Sequence, residues 1–188
     1  MPLKLIIPLL VLIVSFPAFA VQREVGPGQT YTTIPACVTA ASAGDVCNVH
    51  AATYTGQTSI DKDITIQANA GDTPLVDANN AFSCFIGAAN GWTVDGFECI
   101  DWGTVGQGTY AVSIGSNIGV TVKNMKIHTG YGRGISASSA RQTLLDNNEI
   151  YDCLNGGGGI TGTGIHFDQN DSTDATFANG ATISNNTI

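Results

Sequence analysis

Short apolar stretches recur along the second half of the chain, each broken by a residue suited to a sharp bend. Four segments align: Val94-Asp-Gly96-Phe-Glu-Cys99, Val122-Lys-Asn124-Met-Lys-Ile127, Leu145-Asp-Asn147-Asn-Glu-Ile150 and Ile183-Ser-Asn185-Asn-Thr-Ile188. They share the pattern apolar, any, Asn or Gly, any, any, apolar, at steps of 28, 23 and 38 residues. A second series lies between them: Ala111-Val-Ser-Ile114, Gly134-Ile-Ser-Ala137 and Gly164-Ile-His-Phe167, at steps of 23 and 30. Repetition at this period predicts a solenoid of short strands, with alternate side chains pointing into a narrow core. Asn and Gly fit the bends because they tolerate left-handed backbone angles. Stacking places Asn124, Asn147 and Asn185 in one column, where their amides can hydrogen-bond from turn to turn. An antiparallel sandwich would not require the same pattern at every step. The unequal steps predict that the longer loops, Tyr151 to Thr163 and Asp168 to Gly180, leave one side of the cylinder.

The first half fits the same plan. Val25-Gly-Pro-Gly28 reads as a turn. Thr33 reads as a helix N-cap with Pro35 in the first turn, and the helix is expected to span about 33–43 and end at Gly44. One short apolar helix here would close the open end of the core, as repeat arrays require. Val46 to Val49 and Ile64 to Ile66 read as early strands.

Before these elements, a weakly positive start, an apolar run from Leu5 to Phe16 and the small-x-small triplet Ala18-Phe19-Ala20 predict a secretory signal peptide over 1–20. The run is too short to span a bilayer. Residues 21–188 are then one exported domain, with six basic side chains against fifteen acidic ones. Low charge, abundant glycine and scarce Lys and Arg argue against a disordered tail, a helical bundle and a nucleic-acid-binding module. Export permits disulfides. Cys37 and Cys47 flank a Gly-Asp turn and are expected to pair. Cys84 with Cys99 is one option among the remaining three cysteines, whose pairing with Cys153 in play stays open.

One longer segment is more specific. Val25-x-Pro27-Gly28-x-x-Tyr31-x-Thr33-Ile34, the short helix, Gly44-Asp45-x-x-x-Val49 and Ala52-Thr53-Tyr54 resemble the opening of the secreted right-handed parallel β-helix proteins, the pectate-lyase-like superfamily. The later Asn-x-x-Ile segments resemble its repeats. The resemblance covers about residues 25 to 188. It implies an all-β, right-handed parallel β-helix with a short N-terminal capping α-helix. It also implies that sugar polymers bind along the outside of one sheet, in a groove walled by the longer loops. Ala52 stands where the family usually has glycine, so a positive φ there would be costly. The chain stops on the last apolar position of a repeat, which predicts the N-terminal part of a longer protein, truncated at its C-terminal end. The paired aspartates and Gly-His-Gly of the polygalacturonase branch do not occur, which disfavours that hydrolase chemistry.

Candidate chemistry follows from register. With Val112, Ile135 and Ile165 inward, Ser113, Ser136 and His166 share an outward row, and Ser138 with Asp168 shares the next. Tyr110, Arg133 and Thr163 share the row before. Arg133, His166 and Asp168 are therefore expected on one outer face, within one strand spacing or two residues of each other, as the catalytic group. Arg133 would bind a uronate carboxylate, His166 would take the C5 proton, and Asp168 would orient His166 or bind a metal. His128 and Tyr131, on the approach, are the expected substrate-binding pair and the candidate acids. No metal site is assigned, and no cofactor is required. The Asp168, Asn170, Asp171, Asp174 loop could hold calcium, because it offers hard oxygens. Trp92, Trp102, Tyr110, Tyr131 and Tyr151 could serve as sugar-stacking platforms; a core of small aliphatics leaves room for exposed tryptophans, and the sequence does not set which face they take.

Between Trp102 and Leu145 there is no acidic residue, whereas Lys123, Lys126, Arg133 and Arg141 all lie there. Register explains both lysines: Lys126 falls between Glu98 and Glu149, and Lys123 between Asp95 and Asp146. The roles of Arg133 and Arg141 stay open between structure and ligand. The sequence thus predicts a secreted or cell-surface protein that binds an acidic polysaccharide and, if an enzyme, cleaves it as a lyase. The competing expectation is a non-catalytic adhesin or structural stalk.

Overall fold

The computed structural model describes residues 19–80, 83–105, 109–154, 162–168 and 180–188. Residues 1–18 of the expected signal peptide and the Asn170–Asp174 part of the acidic loop lie outside these residues. The first half runs β1 (Gln22–Val25), α1 (Ile34–Ala40), β2 (Val46–Val49), β3 (Thr53–Thr55), β4 (Thr58–Ile60), β5 (Thr65–Ala68), β6 (Leu75–Asp77), β7 (Phe85–Gly87), β8 (Thr93–Asp95) and β9 (Glu98–Ile100). It continues with β10 (Tyr110–Ser113), β11 (Thr121–Lys123), β12 (Lys126–His128), β13 (Gly130–Tyr131), β14 (Arg133–Ser138), β15 (Leu144–Asp146), β16 (Glu149–Ile150), β17 (Cys153–Leu154), β18 (Thr163–Asp168) and β19 (Thr182–Ser184). Every pairing is parallel, and successive coils add one strand to each wall.

The walls are a seven-stranded sheet in the order β1-β2-β5-β8-β11-β15-β19 and two five-stranded sheets, β4-β7-β10-β14-β18 and β3-β6-β9-β12-β16. This is the parallel β-helix expected from the repeats. Val94, Val122, Leu145 and Ile183 are direct partners across the first wall, as the alignment of segments requires. Most strands alternate a buried centre with half-exposed flanks, because only one residue in two can face so narrow a core.

The bend residues fall into register too. Asn124, Asn147 and Asn185 sit at φ of 54°, 52° and 54°, with Gly96 at 86° one coil earlier. The Asn147 amide donates to Asn124 Oδ1 (2.8 Å), and Asn124 donates to Asp95 Oδ1 (2.6 Å). Asn185 turns to Asp146 instead (2.9 Å). A second asparagine pair, Asn148 buried and Asn186 half-buried, stands behind this column. Asn148 accepts from Met125 N–H and donates to Val122 C=O, while Asn186 Oδ1 accepts from the Asn148 amide. These positions are filled by Phe97 and Met125 in earlier coils, so the repeat pattern gave no sign of a polar replacement. Ala52 is not among the residues at positive φ, so its methyl group incurs no backbone strain.

Helix α1 is shorter than the sequence suggests. Thr33 caps it by accepting from Ala36 N–H, and Pro35 lies in its first turn. It ends at Ala40 because Asp45 captures the following chain: its carboxylate accepts from Ser42 N–H (2.9 Å). The same carboxylate accepts from Val21 N–H and from two nitrogens of Arg23, whose third nitrogen reaches Tyr31. Asp45 therefore ties β1, the helix exit and the Tyr31 turn into one cap. The donors of Ser42, Val21 and Arg23, in that order, hold its carboxyl down to about 2, below an ordinary 3.8. A carboxyl depressed in the folded state stabilises it fully above its unfolded value, and that contribution disappears as pH falls from about 4 towards 2. Asp45→Asn is expected to lower the thermal midpoint at pH 7 by several degrees and to flatten its dependence on pH below 4. Melting curves of both proteins from pH 2 to 7 check this, and an unchanged acid slope would remove Asp45 from the account.

Two disulfides reinforce the cylinder. Cys37–Cys47 joins α1 to β2, and Cys84–Cys99 crosses the core from the start of β7 to β9. Cys153 remains a free thiol, half-buried, and burial pushes its pKa up to about 11.

Candidate functional site

The wall β10-β14-β18 carries the expected rows in register, but Ser136, expected to face outward, is buried, while Ser113 and His166 are half-buried. Tyr110 pairs with Arg133 and Arg133 with Thr163; Ser113 pairs with Ser136 and Ser136 with His166; Ser138 pairs with Asp168. Alternation is interrupted at the start of these strands. Gly134 and Ile135 are both buried in succession. A Cβ on Gly134 would meet the side chain of the core residue Ile150 at 2.6 Å, so Arg133 before it turns the other way, half-exposed.

The register also corrects the expected spacing. Arg133 lies opposite Thr163, so His166 is three residues farther along β18, about 10 Å away along the strand, and Asp168 is five. Arg133, His166 and Asp168 share a wall, but Arg133 does not sit within two residues of the others. His166 and Asp168 remain two residues apart on one strand. His166 is half-buried, and its Nδ1 is sealed from solvent without a hydrogen-bond partner among the described residues.

Arg133 is set apart by its partner. Its guanidinium carbon stands 5.7 Å from the centre of the Tyr110 ring. Four other cations have carboxylates beside them: Arg23 with Asp45, Lys62 with Asp61, Lys123 with Asp95 and Lys126 with Glu98. The strand ends around Arg133 are tightly fixed. Arg133 N–H donates to Thr109 C=O, and the Thr109 hydroxyl donates to Tyr131 C=O. Gly132, at φ 111°, lies against the Thr109 carbonyl so closely that any Cβ would collide with it.

Of the expected substrate-binding pair, Tyr131 lies in this corner, half-buried, with its N–H on Trp102 C=O. His128 is elsewhere. It ends β12 on the neighbouring five-stranded wall, where Nε2 meets Glu98 Oε1 at 2.7 Å and the ring stacks on Tyr151 at 4.8 Å. Lys126 shares the same Glu98 oxygen at 3.3 Å. The hydrogen bond from His128, followed by that from Lys126, holds the Glu98 carboxyl below its usual range; Glu98 in turn raises Lys126. Lys126 stands in register between Glu98 and Glu149 as expected, but its ion pair is with Glu98, where His128, two positions on, competes for the same oxygen.

The face taken by the tryptophans, which the sequence leaves open, is the inner one. Trp92 and Trp102 have no exposed surface, each laid against a glycine, Gly87 and Gly130 respectively. Neither can be a sugar platform. Among the described residues no group of three acidic, histidine or cysteine side chains is arranged to hold a metal ion.

No family model matches the chain, and no curated protein matches it. Among solved structures it is similar to a rhamnogalacturonan lyase, with a TM-score of 0.60 at 15% identity over 89% of this chain and 51% of that one. The chain thus spans about half the length of that lyase. The likeness is one of fold: both are parallel β-helices. No helix among the described residues is long and apolar enough to cross a membrane.

Proposed function

We propose that this is an exported β-helix protein that binds an acidic polysaccharide along the outer face of β10-β14-β18, with Arg133 as the anchor for a sugar carboxylate. The observation that carries this reading is a cation on the outer wall whose partner among the described residues is a tyrosine ring and not an acid, in a chain of net charge −8. A guanidinium presents a planar fork of donors that matches a carboxylate. The structural likeness to a polysaccharide lyase supports a polymer as the ligand.

In the lyase form of the reading, a base takes the C5 proton of a uronate, the C4–O bond breaks as the C4–C5 double bond forms, and the leaving oxygen gains a proton. His166 is the candidate base and Tyr131 the candidate acid. Because Arg133 and His166 are about 10 Å apart along the wall, they would engage different units of one polymer. That separation also favours a second reading, a non-catalytic glycan-binding surface protein in which Arg133 holds but nothing cuts.

Two measurements divide these readings. Absorbance at about 235 nm on pectate, alginate and glycosaminoglycans reports the unsaturated product of elimination. Retention in gels containing the same polymers reports binding. Arg133→Ala is expected to lose about tenfold or more in affinity, the order expected when one charge-assisted pair is removed. Retention by the wild type with no absorbance rise selects the non-catalytic reading. Absence of both, on every acidic polymer, overturns the proposal.

A further inference from the structure

The first coil breaks a row that later coils keep apolar. Thr58 on β4 pairs with Phe85 on β7, and the row continues through Val112, Ile135 and Ile165. Thr58 is 2% exposed, and its hydroxyl has no hydrogen-bond partner among the described residues. A hydroxyl so placed is unfavourable unless something from outside the chain completes it.

Thr58 lines a cavity of about 110 Å³ between the start of α1 and the bend that joins β3 to β4. One water needs roughly 10–15 Å³ of such space, so the cavity has room for the greater part of a pyranose ring. Buried Ile34, Tyr54 and Val76 line it, together with exposed Thr32, Thr53 and Thr55. Among the described residues no charged side chain lines it. Threonine hydroxyls both donate and accept, as sugar hydroxyls do, and the apolar side chains suit the C–H edges of a sugar ring. A charged ligand would lose hydration there without meeting a counter-charge.

The walls are fixed before any ligand arrives. Cys37–Cys47 anchors α1 to β2, and the Tyr54 hydroxyl donates to His50 C=O at 2.8 Å. Gly56 N–H donates to Asp77 C=O and Thr58 N–H to Cys84 C=O, which holds the bend. Walls held in advance reduce the entropy lost on binding.

We propose that this cavity beside the cap helix binds one uncharged sugar unit, with the Thr58 hydroxyl as its buried polar contact. On its wall β4 lies three strands from β14, about 14 Å from the Arg133 row, so the site is separate from the carboxylate anchor and does not depend on it.

Amide-resolved NMR titration with D-galactose, D-glucose, D-xylose and L-rhamnose, each as the free sugar and as a linked trisaccharide, tests this. At least one is expected to move the Gly56 and Thr58 amides saturably. Tighter binding of the trisaccharide assigns the site to a unit of a chain, and equal binding to a free sugar. Thr58→Val keeps the shape without the hydroxyl and is expected to weaken binding about fivefold, the worth of one hydrogen bond. Its thermal midpoint is expected not to fall, since valine suits the row and removes an unpartnered hydroxyl. Thr55→Trp, at an exposed position, is expected to fill the opening and abolish the shifts. No saturable shift with any of these sugars would mean a water-filled cavity only and overturns the proposal. Unchanged affinity in Thr58→Val overturns the role of that hydroxyl, and binding that survives Thr55→Trp overturns the location.

Discussion

Reduction of both disulfides is expected to lower the free energy of unfolding by about 6 kcal/mol, which for a domain of this size is a drop of roughly 15–20 °C in thermal midpoint. The bridges close loops with separations of 10 and 15 residues, and in the chain-entropy description each contributes about 3 kcal/mol. The loops do not overlap, so the two contributions add. Each bridge also sits where the solenoid needs it. Cys37–Cys47 ties the cap helix to the seven-stranded wall, and Cys84–Cys99 spans the core between the two five-stranded walls. Exchange with Cys153 is suppressed, because its thiol is half-buried and titrates near 11, leaving little thiolate at neutral pH. Calorimetry with and without reductant gives the sum, and Cys84→Ala with Cys99→Ala gives the second bridge alone. A total shift below about 5 °C would show that packing, not cross-linking, sustains the early coils.

Replacing Trp102 gives the second large effect. The side chain has no exposed surface, and its ring lies on Gly130 so closely that a Cβ there would come within 2.2 Å of Trp102 Cδ2. Trp102→Ala is expected to cost about 3–5 kcal/mol through lost burial and the cavity left behind. Gly130→Ala attacks the same contact from the other side and is expected to displace the ring. Trp102→Phe should behave differently. The indole N–H is buried without an acceptor among the described residues, so phenylalanine removes an unsatisfied donor along with some volume. Its cost is expected to stay under about 1.5 kcal/mol. Denaturant unfolding of the three variants checks the order, and a Phe variant as unstable as the Ala variant would mean the indole donor is satisfied. Because Trp102 C=O receives the Tyr131 N–H, the alanine variant should also loosen the corner beside Arg133, visible as faster amide exchange at Tyr131.

Much of the scaffold could be read from particular residues. Val122, Leu145 and Ile183 were aligned by pattern and are paired in space; so were Val112, Ile135 and Ile165. Parallel stacking makes this possible, because a residue's vertical neighbour is its counterpart in the next coil, whatever loop lies between. The same logic gave the Asn124–Asn147 contact, the Lys123–Asp95 and Lys126–Glu98 pairs and the row containing Tyr110 and Arg133. It was less secure where a coil departs from its own repeat. Asn148 and Asn186 take places held by Phe97 and Met125, and nothing in spacing announces that a core position has become polar until its hydrogen-bond partners are seen.

Sequence by itself determined the walls, the left-handed bends and the cap, because these depend on local backbone preference and on which positions are apolar. Tertiary structure alone decided what the outward residues do. It buried both tryptophans against glycines, since a ring can lie flat only where no Cβ intervenes. It tied His128 to Glu98 on one wall and laid Arg133 against Tyr110 on another. Those choices turn on side-chain direction and on a few ångströms between coils, and a one-dimensional pattern carries neither.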